Sequence, residues 1–455
     1  MNTSFFGELL QSIADRGRAF LERRERRPLG EARTVTLVEL CEALLSERGE
    51  ASGVALAGEI LGAYGQLKTG EQIAFFEALA KTFGPDHERL RRASAAYQSA
   101  PSDETAADLH AAAEPRRQEL VRRLNLAPNA TEALVVMRGH ILDAIARRPD
   151  LAVVDHDFVH LLASWFNRGF LVLRRIDWSM PAIVLEKIIR YEAVHEIRDW
   201  DDLRARIDPP DRRCYAFFHP ALVDEPLIFV EVALTREIPD AIAPILDRKR
   251  ALLDPRAARI AVFYAISNCH RGLTGVNFGS FLLKQVVEEI SRQFSNLSTF
   301  VTLSPVPGFV DWLHRERATA SSSAILPADR TALAYLDEAN WPADPVKVAA
   351  LKSVLGALAA HYFLVARNKN GRSLDPVARF HLGNGAQLER IHPMADTSLK
   401  GLAQSAGIMV NYRYTLADIE KNHEAYIATG EIVASPAVRR LLRAENPQRA
   451  LVSQS

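Results

Sequence analysis

Residues 259–279 of the 455-residue chain read RIAVFYAISNCHRGLTGVNFG, and this stretch decides the fold class of the half that contains it. The run RIAVFYAIS is rich in β-branched and aromatic residues, which predicts a buried strand. Gly272, Gly275 and Gly279 then fall within eight residues, so that backbone can approach a ligand closely. A helical pattern follows, and the N–H groups that open a helix suit a phosphate. The stretch is neither a Walker A nor a G-x-G-x-x-G motif, so a plain strand-to-helix turn stays open as the alternative.

The periodicity of the chain changes near Asn167. Up to that residue, apolar residues recur at helical spacing, and short Pro, Ser and Asn segments separate the helical stretches. After it, β-branched and aromatic runs alternate with helical patterns, which is typical of a mixed or parallel sheet flanked by helices. We therefore predict two domains: an all-α helical bundle over residues 1–167 and an α/β domain on a mixed sheet over residues 168–455.

Composition excludes several classes of function. Lys+Arg and Asp+Glu number 56 each, so no net basic field exists to attract nucleic acid or an anionic membrane. Cys41, Cys214 and Cys269 lie far apart, which fits a reducing compartment and offers no disulfide or zinc spacing. No apolar run approaches the length of about 18 residues that a membrane span needs, and acidic residues interrupt the Arg-rich N-terminal segment, unlike in a mitochondrial presequence. We expect a cytoplasmic protein without nucleic-acid or membrane partners.

Ser304 is the first candidate for chemistry. It follows the strand-like run STFVTL, and Pro305 and Pro307 cannot continue a central strand, so the serine is predicted at the carboxyl end of that strand. Ligand crevices in open α/β sheets lie outside such ends. A serine that caps a helix N-terminus is the alternative.

His381 and the last tyrosines are the second group of candidates. We predict a strand over ARFHLGNGA, on which His381 acts either as a general acid or base or as a packed core histidine. The alternation in NYRY places Tyr412 and Tyr414 on one face of a strand, where core packing accounts for at least one of them.

Several stretches, taken together, resemble the malonyl-CoA decarboxylase family between about Leu161 and Tyr426. They are, in chain order, LLASWFNRGFL, PLIFVEVALT, FYAISNCHRGLTGV, LSPVPGF, FHLGNGA and MADTSLKGLAQSAGIMVNYRY. The resemblance implies a helical N-terminal domain and a catalytic domain similar to the GNAT acyltransferase fold. In that fold a strand, a glycine-containing loop and a helix N-terminus hold the pyrophosphate of CoA.

The resemblance also implies which residues form the site. The family's catalytic serine lies in the LSP-x-PGF motif, here Ser304, and its catalytic histidine lies in FHL-x-NGA, here His381. A further active-site tyrosine closes the NYRY motif, here Tyr414. The family's CoA-binding loop falls on Thr274, Gly275, Val276, Asn277, Phe278, Gly279 and Ser280. Vertebrate-type members carry a glutamate where this sequence has Asn277, so a charged role does not transfer to that position.

A carboxy-lyase of fatty acid metabolism is the function that the resemblance implies. Such an enzyme converts malonyl-CoA into acetyl-CoA and CO2 through a thioester enolate, with no metal and no organic cofactor. His156 and His160 are spaced i, i+4, but zinc would need a third ligand, so we expect no metal site. The resemblance further suggests a homo-oligomer, with a tetramer as the candidate state.

Two other functions stay open at this point. The first is an acyl-CoA-dependent acyltransferase on the same fold, and the second is a non-catalytic sensor of malonyl-CoA.

Overall fold

The computed structural model describes residues 32–46, 50–276, 282–320 and 322–443. These residues form two compact units. The first comprises residues 32–171 together with the short segments His219–Glu225 and 270–276. The second comprises Val172–Phe218, Pro226–Cys269 and the described residues from 282 onward.

The first unit is helical, as the spacing of its apolar residues predicts. Leu134, Met137 and Ile141 recur at helical spacing and are buried, because they form the inward face of one amphipathic helix. Side-chain caps fix some of the helix starts; the carboxylate of Asp86, for example, accepts the backbone N–H groups of Glu88 and Arg89 at 3.0 Å each. The helices are α1 (Ala32–Leu45), α2 (Glu50–Gly65), α3 (Thr69–Lys81), α4 (His87–Ser99), α5 (Asp103–Ala113), α6 (Arg116–Leu124), α7 (Ala130–Ile145) and α8 (Ala152–Trp165).

The second unit is built on a sheet whose strands are the β-branched and aromatic runs of the sequence. Its strands are β1 (Val172–Arg175), β2 (Arg212–Phe218), β3 (Pro226–Thr235), β4 (Ile260–Asn268), β5 (Thr299–Thr302), β6 (Ser304–Pro305), β7 (Gln387–His392) and β8 (Met409–Tyr414). Its helices are α9 (Ala182–Tyr191), α10 (Trp200–Ile207), α11 (Ala243–Leu246), α12 (Leu282–Gln293), α13 (Phe309–Ala318), α14 (Asp329–Ala334), α15 (Pro345–Leu364), α16 (Pro376–Gly383), α17 (Leu399–Ser405), α18 (Ile419–Thr429) and α19 (Pro436–Leu441).

The sheet is mixed. Strands β1 to β4 pair antiparallel in chain order, and β4 pairs with β5 in parallel. Strand β8 pairs antiparallel with β5 and β6 on one side and with β7 on the other. A helical region followed by a mixed-sheet domain is the fold class that the sequence predicts, and it is confirmed.

One sequence prediction of secondary structure is wrong at a site residue. The segment around His381 is not a strand: residues 376–383 form helix α16, and the next strand begins at Gln387. Asp375 caps this helix by accepting the Ala378 N–H at 2.9 Å, and Pro376 occupies the first helical position. This Asp-Pro pair fixes the start of a helix. The apolar residues that favour a strand in the sequence lie on the faces of helix α16 instead.

Helix α15 is the longest of the described helices of the second unit. Among the described helices it alone is long and apolar enough to cross a membrane by length and composition, which the sequence analysis did not predict. About 56% of its most apolar window is buried inside the unit, as in a core helix. Its buried residues include Leu355, Leu358 and Tyr362.

Candidate active site

The candidate site lies on one face of the sheet, where β5 and β6 meet β8. Side chains alternate along a strand, so Phe300, Thr302 and Ser304 share a face. Phe300 pairs with Tyr414, and Ser304 pairs with Val410, which places Tyr412 and Tyr414 on the same face as the serine. The sequence prediction that the two tyrosines share a face is therefore confirmed.

The structure brings Ser304 and His381 into direct contact. Oγ of Ser304 lies 3.1 Å from Nε2 of His381, although the two residues are 77 positions apart in the chain. The serine is 5% exposed and the histidine 2% exposed, so bulk water hardly reaches either group. Helix α16 supplies the histidine from its last turn, and the short strand β6 supplies the serine.

Tyr414 contacts the opposite edge of the same imidazole. Its hydroxyl oxygen lies 2.8 Å from Nδ1 of His381. The ring of Tyr412 stacks on the imidazole with a centroid distance of 4.5 Å and an interplanar angle of 23°. His381 is thus held at both nitrogens and on one ring face.

The hydroxyl hydrogen of Ser304 determines the tautomer of His381. Oγ of Ser304 donates to Oγ1 of Thr302 over 2.9 Å, and Oγ1 also accepts the backbone N–H of Tyr412 at 3.0 Å. A serine hydroxyl has a single hydrogen, so Oγ of Ser304 accepts from Nε2 of His381. In this arrangement the neutral imidazole carries its hydrogen on Nε2, Nδ1 accepts from the Tyr414 hydroxyl, and Ser304 donates to Thr302 rather than to His381.

Burial keeps His381 neutral. It lowers the pKa of the imidazole from its ordinary 6.5 to about 3, because the charged form loses its hydration. Burial likewise raises the pKa of the Tyr414 hydroxyl well above its ordinary range. At neutral pH the site consists of neutral hydrogen-bonding groups. A charge that enters the site would shift the pKa values of these groups strongly.

The sheet opens next to Ser304. The last paired residues of the parallel strands are Phe263 and Thr302, and the Leu303 N–H still donates to the Phe263 carbonyl at 2.9 Å. Beyond that bond β4 continues to Asn268 beside β3, while the segment after β5 continues as β6, which pairs with β8. Ser304 lies directly past this fork, after the carboxyl end of β5, and α/β sheets bind ligands beyond such strand ends.

The described residues of the predicted CoA-binding loop, 274–276, belong to the first unit. Gly275 adopts a φ of +76°, and a Cβ at this position would meet open space, so its glycine is required by the backbone conformation alone. Gly272 packs against α7 so closely that a Cβ would lie 1.8 Å from the Val135 carbonyl oxygen. The buried Arg138 also donates to the Gly272 carbonyl at 2.6 Å. Thr274 and Val276 complete the described part of the loop, while the predictions for Asn277, Phe278, Gly279 and Ser280 lie outside the described residues.

Sequence reasoning missed two residues that shape the site. Thr302 accepts the Ser304 hydroxyl hydrogen, and Asp375 caps the helix that carries His381. The alternation of β5 could have identified Thr302, since it lies two residues before Ser304. The Asp-Pro pair at 375–376 is likewise an N-cap signal that a strand interpretation of the next residues concealed.

Comparisons with known proteins indicate the same family across most of the chain. The sequence profile of the malonyl-CoA decarboxylase C-terminal domain matches residues 169–452, and that of the malonyl-CoA decarboxylase N-terminal domain matches residues 83–166. The chain is 36% identical over 415 residues to the mitochondrial malonyl-CoA decarboxylase of Anser anser anser, covering 84% of this chain and 82% of that protein. It is 34% identical over 431 residues to the mouse mitochondrial enzyme, covering 88% and 87% of the two chains.

Solved bacterial structures match as well. The crystal structure of malonyl-CoA decarboxylase from Rhodopseudomonas palustris is 57% identical with a TM-score of 0.88, covering 91% of this chain and 100% of that chain. The crystal structure of the Agrobacterium vitis protein is 53% identical with a TM-score of 0.86, covering 90% and 100%.

Proposed function

We propose a residue-level mechanism from the premise that this chain belongs to the malonyl-CoA decarboxylase family. The chain is a carboxy-lyase that converts malonyl-CoA into acetyl-CoA and CO2. In our proposal Ser304 and His381 act on the substrate, and Tyr414 acts through His381. The observation that carries the proposal is the buried hydrogen-bond series from Tyr414 through His381 to Ser304, at the fork between β4 and β5.

The reaction makes three demands on the site. Loss of CO2 leaves an enolate, so negative charge that develops on the thioester oxygen must be stabilised. The carboxylate must be poorly solvated before it leaves, and the carbon must be protonated afterwards. A buried site with one hydroxyl donor and one proton donor can meet all three, so the mechanism routes no step through a metal or an organic cofactor. We expect dialysis against a chelator to leave kcat unchanged.

Ser304 supplies the hydrogen bond to the thioester oxygen. Rotation about its Cβ–Oγ bond moves the hydroxyl hydrogen from Thr302 to the substrate, while Oγ continues to accept from Nε2 of His381. A donor aimed at developing charge in a water-poor site contributes about 10²–10³-fold to kcat in comparable enzymes. The position of Ser304 past the fork suits this role, because ligands of α/β sheets bind beyond the carboxyl ends of strands.

His381 supplies the proton. The malonyl carboxylate brings a negative charge into a site where desolvation is what holds the pKa of the imidazole low. An opposite charge nearby raises the pKa of a histidine, so His381 takes up one proton as the substrate binds. When CO2 leaves, the electron pair of the broken C–C bond forms the enolate. The Nε2 proton then moves to the α-carbon of the enolate, which gives acetyl-CoA and a neutral His381 that keeps its hydrogen on Nδ1. Proton exchange restores the resting tautomer, and one proton is consumed per turnover.

Tyr414 keeps the imidazole oriented in both protonation states. Its hydroxyl donates to Nδ1 when His381 is neutral and, after rotation of the hydroxyl hydrogen, accepts from Nδ1–H when His381 is charged. The Tyr414 hydroxyl and Ser304 lie on opposite edges of the ring, so Tyr414 is a positioning residue in this mechanism. The predicted role of Thr274–Ser280 in holding CoA stays a prediction.

Product analysis tests the function. Malonyl-CoA labelled in its free carboxylate is mixed with the purified protein, and labelled CO2 and acetyl-CoA are followed together. The proposal predicts that both appear in a ratio of one to one without any acyl acceptor. Acyl transfer to an added amine or thiol without CO2 release would favour an acyltransferase, and tight binding without turnover would favour a sensor.

Self-association and a cytoplasmic location complete the proposal. The helical unit exposes several large apolar side chains, including Leu126, Val136 and Val153, which supports a contact between subunits. We propose a homo-oligomer, and analytical ultracentrifugation of the purified chain measures the subunit number. A sedimenting monomer at micromolar concentration would contradict it. The location stays a prediction that fractionation of the source cell can test.

A further inference from the structure

Asp375 has more contacts than a helix cap requires. It is fully buried, and its Oδ1 accepts the Ala378 N–H at the start of α16, the helix that carries His381 in its last turn. Its other oxygen, Oδ2, faces the Gly308 N–H at 3.4 Å. Gly308 opens helix α13 and lies four residues after Ser304 in the LSPVPGF motif.

A third element reaches the same carboxylate. The Tyr362 hydroxyl, near the end of α15, faces the same carboxylate; burial and then the charge of Asp375 raise the pKa of this hydroxyl. Gly308, in the loop after Ser304, lies close to both groups. A Cβ at this position would be 2.6 Å from the Tyr362 hydroxyl oxygen and 3.6 Å from Oδ2 of Asp375. The ring of Tyr362 packs on Phe309 at a centroid distance of 5.6 Å, which holds it against the start of α13. The loop after Ser304, the helix of His381 and the core helix α15 therefore meet at one carboxylate.

We propose that Asp375 is a positioning residue for the decarboxylation, whose carboxylate sets the Ser304–His381 distance by joining the loop after Ser304 to the helix that carries His381. The inference rests on the proposed roles of those two residues. A helix N-cap needs only one side-chain acceptor. The exposed carboxylate of Asp344, for example, provides that acceptor at the start of α15. Burying a carboxylate is costly unless its oxygens are used, and here both oxygens receive donors from different elements.

The carboxylate also has a titration that the experiment can follow. Burial raises the pKa of Asp375 from 3.8 to about 6, against the lowering effect of the backbone N–H donors. The titratable and charged groups that face it are Tyr362 from α15, Tyr412 from β8 and Arg379 from its own helix. Of these, Tyr362 and Tyr412 have pKa values above their ordinary range, so Asp375 is the member of the group that protonates in the mildly acidic range.

Steady-state kinetics of Asp375→Asn across pH 5–8 tests the proposal. We expect kcat to fall about 10–100-fold with KM changed less than threefold, because a mispositioned acid and donor affect the transition state more than binding. We further expect the wild-type kcat to decline below about pH 6 as the carboxyl protonates, and this acid limb to be absent from the variant. The matched control is Asp344→Asn, another cap aspartate without contact to the Ser304 loop, for which kcat and the acid limb stay as in the wild type.

Tyr362→Phe keeps the test decisive if Asp375→Asn fails to fold. Removal of the hydroxyl that faces the carboxylate takes away a polar neighbour of its charged form, so the pKa of Asp375 rises and the acid limb of kcat moves to higher pH. A purely structural role of Tyr362 would lower stability without moving that limb. If both variants keep the kcat, the KM and the acid limb of the wild-type protein, the inference is wrong. Absence of CO2 release by the wild-type protein would instead refute the proposed function.

Discussion

The Tyr414 hydroxyl lies 2.8 Å from Nδ1 of His381, on the imidazole edge that faces away from Ser304. This relationship separates the residue that orients the acid from the residue that contacts the substrate in our mechanism. We expect Tyr414→Phe to lower kcat about 10–100-fold and to leave KM within threefold, since the ring still packs but Nδ1 loses its partner. An unchanged kcat would remove Tyr414 from the mechanism.

Tyr412→Phe is the matched control for that substitution. Tyr412 lies two residues away on the same strand face and stacks on the same imidazole, but its buried hydroxyl has no hydrogen-bond partner among the described residues. Removing an unpaired buried hydroxyl is neutral or stabilising. We expect kcat within about twofold of the wild type and a free energy of unfolding that is equal or higher by about 1 kcal/mol, measured by urea titration. A large loss of kcat would show that the hydroxyl acts in the reaction.

Substrate binding should take up a proton. Succinyl-CoA keeps a carboxylate but has no β-carboxyl to lose, and acetyl-CoA has no carboxylate at all. Titration calorimetry in buffers of different ionisation enthalpy measures the protons taken up on binding. We expect uptake approaching one proton per site with succinyl-CoA near pH 7, about none with acetyl-CoA, and none with either ligand in His381→Asn. Equal uptake with both ligands would contradict charge pairing at His381.

Stability should depend on the pH through His381. Its pKa is lowered from 6.5 to about 3 in the folded state, so between those values the unfolded state binds more protons. Stability is therefore lost as the pH falls below 6.5, on the order of 1–2 kcal/mol by pH 5. We expect His381→Asn to lose less stability over this interval, measured as the difference between urea titrations at pH 7 and pH 5. Parallel losses in both proteins would mean that the folded-state pKa is not lowered.

Gly308→Ala should disturb the loop after Ser304. The added methyl would lie 2.6 Å from the Tyr362 hydroxyl oxygen, so the loop or the tyrosine side chain must shift to make room. Overpacking of this kind costs about 1–3 kcal/mol of stability, and we expect kcat to fall about tenfold. Gly62→Ala in α2 is the control, since its methyl would meet nothing within 4 Å, and helix propensity predicts equal or higher stability. Wild-type stability in Gly308→Ala would show that the loop has room to move.

The strands of the second unit were predictable because each is a local pattern. The run PLIFVEVALT coincides with β3, Pro226–Thr235, and RIAVFYAIS covers nearly all of β4. The sequence predicts a strand at His381 because a short apolar run does not distinguish a strand from a short helix; in the structure the Asp375 cap starts a helix there. The strand prediction at His381 is therefore wrong, although the sequence contains the helix-start signal, the Asp-Pro pair at 375–376.

The assembly of the site could not be derived from local pattern. Ser304 and His381 meet only because the register of β6 on β8 and the start of α16 bring distant segments together. Their roles entered through family resemblance, and residue spacing alone left both as ordinary packed or capping residues. Thr302 and Asp375 escaped notice because their partners are defined only in three dimensions.

The most direct test of the central claim is the kcat of His381→Asn with malonyl-CoA, measured beside the affinity of the same variant for acetyl-CoA. If His381 is the proton donor, kcat falls on the order of 10²–10⁴-fold while the affinity for acetyl-CoA stays within threefold. A variant that releases CO2 and forms acetyl-CoA at the wild-type rate would contradict the mechanism.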